Sequence, residues 1–232
     1  EKVLGIKSGK DVQASDYITA DVDMVMVHIG LTRMAPMIEE LGFDGVWAPD
    51  RVIALEDHYV PAPSVEAAEL HKTLRKMVKM LKLKHFYGLN EGICHQVMVE
   101  KGHILPGMLV LGTDSHSTTY GALGALGTGI GVSEMVSVFK KGRLWLRVPE
   151  SVKVEVTGEF KPFVAAKDLM LELIKHHGVS VGQYRSIEFC GEAVDGFTLS
   201  ERMTLANMSV EMGAKFGVIP PDERVINYLE RR

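Results

Sequence analysis

The chain has 232 residues, 46% of them hydrophobic, which is enough for one substantial core or two smaller ones. A formal net charge of −4 excludes the basic footprint of a nucleic-acid binder, and no apolar run reaches the length of a membrane-spanning helix. No signal-peptide pattern opens the sequence, and two isolated cysteines, Cys94 and Cys190, give neither a disulfide framework nor a C-x-x-C site, so a cytoplasmic protein is expected.

Residues 1–24 read as a lead-in, with the tail of a helix over 2–5, a turn over 8–11 and a short strand over 17–21. Residues 24–29 form a strand candidate that ends on His28, and a helix over 31–41 is closed by Gly42. Residues 52–55 are a buried strand running into Glu56-Asp57-His58, and Pro61 and Pro63 interrupt regular structure beyond it. Residues 64–83 are the clearest helix. Ser64 caps it, Glu66 lies in the first turn, and Ala67, Leu70, Leu74, Met77, Val78 and Leu81 recur at helical spacing. Lys72, Lys76, Lys79, Lys82 and Lys84 make its solvated face, and His71 and His85 are assigned to the surface with them. Residues 92–97 carry the next histidine, His95.

The chain is organised around residues 108–131. Met108 to Leu111 has the length of a buried strand. Asp114, Ser115 and His116 then set an acid, a hydroxyl and an imidazole on successive residues. Gly121, Gly124, Gly127, Gly129 and Gly131 follow, and glycine lets backbone approach backbone or ligand where a Cβ would clash. Titratable groups at a strand's carboxyl end are how open α/β sheets build sites. The plainer alternative is a helix capped by Asp114 or Ser115. A dinucleotide loop is rejected because residues 127–131 lack the G-x-G-x-x-G spacing. A helix is expected over 131–146, with Val132, Met135, Val136, Phe139 and Leu144 as its stripe.

Strand, polar cluster and helix recur in this order, which predicts a layered α/β sheet with site residues gathered at one edge. Val148-Pro149-Glu150 divides residues 1–150 from a second, smaller α/β unit over 151–232. That unit contains strands at 152–156 and 186–189 and helices at 164–177 and 199–214. The titratable groups after apolar runs are Asp57 with His58, His95, and Asp114 with His116. Imidazoles held by carboxylates at strand ends suit proton transfer on a polar anionic substrate. The absence of H-E-x-x-H argues against a zinc hydrolase. Cys94 and Cys190 read as packed thiols.

Four stretches occur in order: Glu56-Asp-His58, Gly92-Ile-Cys-His-Gln96, Gly112-Thr-Asp-Ser-His116 with its glycine run, and Met203-Thr-Leu-Ala-Asn-Met-Ser-Val-Glu-Met-Gly213. Together they resemble the aconitase superfamily, in its isopropylmalate dehydratase and homoaconitase large-subunit branch. Asp57-His-Tyr-Val-Pro-Ala62, Lys141-Gly-Arg-Leu-Trp145 and Arg147-Val-Pro-Glu150 extend the likeness over essentially the whole chain. The resemblance implies an aconitase-like layered α/β domain followed by a second smaller α/β domain, the chain ending before a cluster-binding third domain. It implies a hydro-lyase that moves a hydroxyl between adjacent carbons of a malate-type acid such as 3-isopropylmalate, through an enoic intermediate. The cofactor implied is a [4Fe–4S] cluster with one open iron, held by three cysteines outside these residues. The partner implied is a small swivelling-domain subunit, and the substrate a small di- or tricarboxylate. The segment alone is expected to bind no cluster and to turn nothing over.

Residue by residue, the resemblance implies catalytic pairs of Asp57 with His58, His95 with Asp114, and His116 with Glu211. It makes Ser115, His28 and Thr32 substrate-binding and Asn207 cluster-proximal, with Asn207 and Glu211 on one face of the 199–214 helix. This chain reads His28-Ile-Gly-Leu-Thr32 where family members carry His-Asp-x-Thr. Two alternatives stand beside it: homoaconitase or aconitase-type activity on a tricarboxylate, and a non-catalytic scaffold that kept the fold. Against the scaffold stands the cost of burying carboxylates beside imidazoles without a use for them.

Overall fold

The computed structural model describes residues 1–232. The chain opens with α1 (Lys2–Ser8), β1 (Tyr17–Asp21), β2 (Met24–Val27), α2 (Gly30–Glu40), β3 (Val52–Leu55), α3 (Val65–Met80), β4 (His85–Tyr87) and α4 (Cys94–Glu100). It continues with β5 (Leu109–Gly112), a 3₁₀ segment Ser115–Leu123, β6 (Leu126–Gly129), α5 (Val132–Lys141) and β7 (Arg143–Arg147). The remaining elements are β8 (Ser151–Glu155), α6 (Ala166–His177), β9 (Ser186–Cys190), α7 (Glu192–Asp195), α8 (Leu199–Met208), a 3₁₀ turn Ser209–Met212, β10 (Phe216–Val218) and α9 (Glu223–Leu229). No helix is long and apolar enough to cross a membrane.

Five parallel strands form the main sheet in the order β4-β3-β2-β5-β6. Strands covered on both faces read as continuous apolar runs, and all four residues of β3 and of β5 are buried. Alternation along each strand sends neighbours into different cores. Val25, Val27, Val52, Ala54, Leu109 and Leu111 pack with the helices α2, α3 and α5. Met26, Ile53, Leu55 and Val110 pack the other way, against α4, Tyr120 and Ala122 of the 3₁₀ segment, and Ile187, Phe189 and Leu205. The chain leaves central β2 outward through β3 and β4, then returns to the opposite side with β5 and β6. This reversal leaves a crevice outside the carboxyl ends of β2 and β5, the place where open α/β sheets bind ligands.

Residues 151–218 supply a separate three-stranded parallel sheet in the order β10-β9-β8. It meets the 3₁₀ segment so closely that a Cβ on Gly121 would lie 1.7 Å from the Gly217 carbonyl oxygen. Only glycine permits that approach. β1 and β7 pair as an antiparallel ribbon apart from both sheets.

Three sequence expectations are corrected here. The helix expected over 131–146 stops at Gly142, whose φ of 65° is left-handed, and Leu144 belongs to β7, where alternation buries Leu144 and Leu146. In α3 Ser64 does cap the first turn, accepting from the Ala67 N–H. However, Leu70 is 37% exposed, and His71 takes the core-facing position instead. His71 is therefore buried, while His85 is half-buried at the start of β4. The helix expected over 199–214 breaks into α8 and the 3₁₀ turn. There the Ser209 hydroxyl donates to the Leu205 carbonyl, and Gly213 at φ 79° ends the run.

Candidate functional site

Strand ends deliver most of the site. His28 follows β2, Asp57 and His58 follow β3 by two and three residues, and Asp114, Ser115 and His116 follow β5. His95 corrects the expectation of strand-end delivery for every histidine, because it is the second residue of α4. Asp114 satisfies both readings of its own segment. It is the N-cap of the 3₁₀ run, accepting from the His116 backbone N–H at 2.8 Å, and it also faces the crevice. Gly129 on the adjacent β6 passes directly behind it. A Cβ there would sit 2.6 Å from the Asp114 carbonyl oxygen.

The Asp114 carboxylate is the common neighbour of four imidazoles. One oxygen bonds His95 Nε2 at 2.9 Å and lies 3.7 Å from His116 Nδ1. The other lies 3.8 Å from His28 Nε2 and 4.0 Å from His58 Nε2. The structure thus brings His58, His95 and His116 together, although they lie far apart along the chain. Each has a second partner. His58 Nδ1 is 2.8 Å from Asp57, His95 Nδ1 is 3.4 Å from the Tyr120 hydroxyl, and His116 Nε2 is 3.0 Å from Glu211. His28 stacks flat on His58, with centroids 4.2 Å apart.

The remaining predicted residues sit around this cluster. Ser115 is exposed, with its hydroxyl 3.3 Å from His116 Nδ1. Asn207 donates from Nδ2 to the Thr119 hydroxyl at 2.9 Å, and its carbonyl accepts from Thr118. Asn207 lies on α8 and Glu211 on the following 3₁₀ turn, so they reach the Ser115–Leu123 segment from two elements rather than one helix face. Thr32 is not joined to the imidazoles by a hydrogen bond. Its hydroxyl donates to the Ile29 carbonyl at the start of its own helix. A groove of about 420 Å³ opens beside His95, Thr119 and Asn207. A second, of about 370 Å³, opens beside Ser115, Gly129 and Lys215.

The electrostatics follow from burial and pairing. Burial alone raises Asp57, but hydrogen bonds from His58 and from the Cys94 N–H outweigh it and hold its carboxyl at about 2. The same bond to Asp57 raises His58. The His95 hydrogen bond keeps Asp114 well below the usual carboxylate range, against the pull of burial. Burial, helped by the charge of His58, lowers His28 to about 4, so its ring is neutral at pH 7. His28 Nε2 is buried and has no hydrogen-bond partner. An unpaired buried nitrogen costs free energy unless something enters to meet it.

His28, Asp57 and His58 each offer one donor atom, all within 4.8 Å of one another. The short His58–Asp57 hydrogen bond already engages two of these side chains. A cubane iron–sulfur cluster does not fit this chain's own donors. It requires several thiolates facing one space. Cys94 is buried under Asp57 with its thiol pushed far up by burial, and Cys190 lies on β9 with its thiol toward the Val154 carbonyl.

The parts played by Tyr120, His71 and Glu56 around the site escaped sequence reasoning. Tyr120 is fully buried and its phenol, kept protonated by burial, braces His95. His71 and buried Glu56 stand behind His58. The signal for His71 was present, since position 71 continues the stripe through 67, 74 and 78.

A family model described as "Aconitase family (aconitate hydratase)" matches residues 14–232. The 3-isopropylmalate dehydratase large subunit 1 of Methanopyrus kandleri is 47% identical over 233 residues, covering 100% of this chain and 56% of that protein. The probable 3-isopropylmalate dehydratase large subunit of Methanothermobacter thermautotrophicus is 46% identical over 237 residues, again 100% of this chain and 56% of its own length. The probable methanogen homoaconitase large subunit of Methanosarcina mazei is 44% identical over 214 residues, 92% of this chain and 55% of its own. The chain spans about half the length of the curated relatives it matches.

Proposed function

Because this chain belongs to the aconitase family, we propose that it supplies the proton-handling part of a hydro-lyase of the 3-isopropylmalate dehydratase large-subunit type. The observation that carries the reading is the Asp114 carboxylate, which lies within 4.0 Å of the imidazoles of His28, His58, His95 and His116. A malate-type acid loses a carbon-bound proton and a hydroxyl on dehydration, and regains both at exchanged positions on rehydration. The departing hydroxyl needs a proton. His58, raised and held in orientation by Asp57, gives it and takes it back in the reverse step. Neutral His28 presents its unpaired Nε2 to a substrate oxygen, and exposed Ser115 donates to a carboxylate. His95 and His116 are fixed by Asp114 and Glu211 and orient the substrate between the two grooves. On the family likeness we also assign Thr32 to substrate binding, its hydroxyl being held by the Ile29 carbonyl, and set Asn207 at the edge at which a cluster would approach.

In the family the cluster supplies Lewis-acid polarisation of the substrate oxygens. We place its ligands, and the carbon base, outside residues 1–232, on further chain and on a small swivelling subunit. Within the chain, residues 1–150 and 151–232 act as two domains that meet over the 3₁₀ segment. The protein works in the cytoplasm and, as this span alone, does not turn over. A tricarboxylate substrate is the second reading, favoured by the Methanosarcina mazei relative named as a homoaconitase.

The test is enoate formation from 3-isopropylmalate by the full-length protein assembled with its small subunit. His58→Gln and His95→Asn should each lower kcat by about 10²- to 10⁴-fold. Wild-type turnover in either variant would overturn the assignment.

A further inference from the structure

Behind the site lies a second carboxylate–imidazole pair. Glu56 and Asp57 are adjacent at the end of β3, so strand alternation turns them to opposite sides. Asp57 faces the crevice. Glu56 turns back under α3 and is 3% exposed. His71, 4% exposed, places Nδ1 3.3 Å from a Glu56 oxygen. Its Nε2–H donates to the backbone carbonyl of His58 at 2.8 Å. Arg75, one turn further along α3, donates to the same Glu56 oxygen.

We infer that Glu56 and His71 are positioning residues, a buried strut that sets where the His58 imidazole points. The inference rests on the proton-handling role proposed for His58. Its physical basis is local. Only two residues separate the end of β3 from His58, and Tyr59 directly after it is left-handed at φ 58°. No regular element fixes His58. The one long-range hydrogen bond to its backbone carbonyl comes from His71. Packing alone does not explain the pair, since burying a carboxylate and an imidazole is costly and apolar side chains of similar volume pack as well. An orientation requirement does explain it. His58 must face Asp57 at 2.8 Å while keeping Nε2 within 4.0 Å of Asp114, and a small rotation loses one or the other.

The full-length protein, assembled with its small subunit, is compared as wild type, His58→Gln, His71→Leu, His71→Gln and Glu56→Gln. His71→Leu should lower kcat roughly ten- to hundredfold, the scale of an ångström-level misplacement, with KM changed by less than about twofold. His71→Gln carries an amide N–H that reaches the same carbonyl and should recover most of the rate. The proton shared by His58 and Asp57 gives a readout independent of turnover. Its downfield ¹H NMR resonance should broaden or vanish in His71→Leu and return in His71→Gln. If His71→Leu does not fold, Glu56→Gln still decides, with a lowered kcat at unchanged KM expected. Wild-type kcat and an intact downfield proton in His71→Leu or Glu56→Gln, with His58→Gln inactive, would overturn the strut and leave the role of His58 standing. Turnover by His58→Gln would instead remove the reading on which the strut rests.

Discussion

The Asp57–His58 pair makes a stability prediction with a definite pH window. Asp57 is 5% exposed at its side chain and is held at about 2 instead of the ordinary 3.8. At about 1.4 kcal/mol for each tenfold change in proton affinity, this is worth about 2 kcal/mol of folding stability. The folded value is depressed, so the contribution is present above pH 3.8 and is lost as pH falls through about 2. His58 has the opposite sign. Its folded value is raised, so its share is full below the ordinary 6.5 and is lost as pH rises through the folded value. Both describe one interaction, and it is counted once. The coupling is therefore greatest between about pH 4 and 6.5. Asp57→Asn keeps the shape and one acceptor for the Cys94 N–H but removes the charge. Urea unfolding followed by tryptophan fluorescence should show a loss of about 2 kcal/mol at pH 5.5. The loss should shrink toward pH 2 and also above the His58 titration. A difference that stays constant from pH 2 to 8 would refute the ionic account and leave only shape.

His28→Phe keeps the stack on His58 and removes the orphaned Nε2. The substitution also removes the Nδ1 that accepts from the buried Gly30 N–H, so the gain and the loss nearly cancel and the melting temperature should stay within a few degrees, while KM for the acid substrate rises. Gly121→Ala drives a Cβ into the Gly217 carbonyl oxygen, where backbone must move. A loss above roughly 3 kcal/mol is expected, measured as a sharply lower melting temperature or failure to refold. Glu211→Gln lies at a half-exposed hydrogen bond with His116. It should leave chemical denaturation nearly unchanged yet lower kcat by about 10²-fold in the assembled enzyme.

The main elements were legible because their signals are local, whereas Asn207 and Glu211 were named only through the family resemblance. β3 and β5 are short apolar runs ending in acid–histidine clusters, and Ser64 before the 64–83 stripe announces α3. The failures have physical causes of the same local kind. β6 is Leu-Gly-Thr-Gly, in which half the residues have no side chain to show a period, yet it forms a full parallel ladder with β5. Leu144 fits a helical stripe and a strand alternation equally, and the left-handed Gly142 decides between them. His71 was judged by its lysine-rich neighbours, although its own position on the helix faces the core. Pairwise geometry was beyond any periodicity. Nothing in the spacing of residues 28, 58, 95 and 116 states that a single carboxylate lies among them.

That carboxylate explains why the site sits where the sheet reverses its strand order. At any other edge, adjacent strand ends come from consecutive βα units and carry loops to the same side. Between β2 and β5 the loops diverge, and the gap exposes backbone that Asp114 then caps. The cap orients Asp114 through the His116 N–H, independently of the imidazoles around it. His28, His58 and His95 arrive from β2, β3 and α4, three elements whose relative placement is fixed by the two apolar cores. Glycines at 121 and 129 let the supporting backbone come close enough to lock the segment from behind. A carboxylate held this way is preorganised, fixed in position by the cap and kept ionised by its hydrogen bonds. The free energy of folding is what holds these imidazoles around one negative charge. Loosening the glycine contacts should therefore reduce turnover even in variants that keep every titratable side chain.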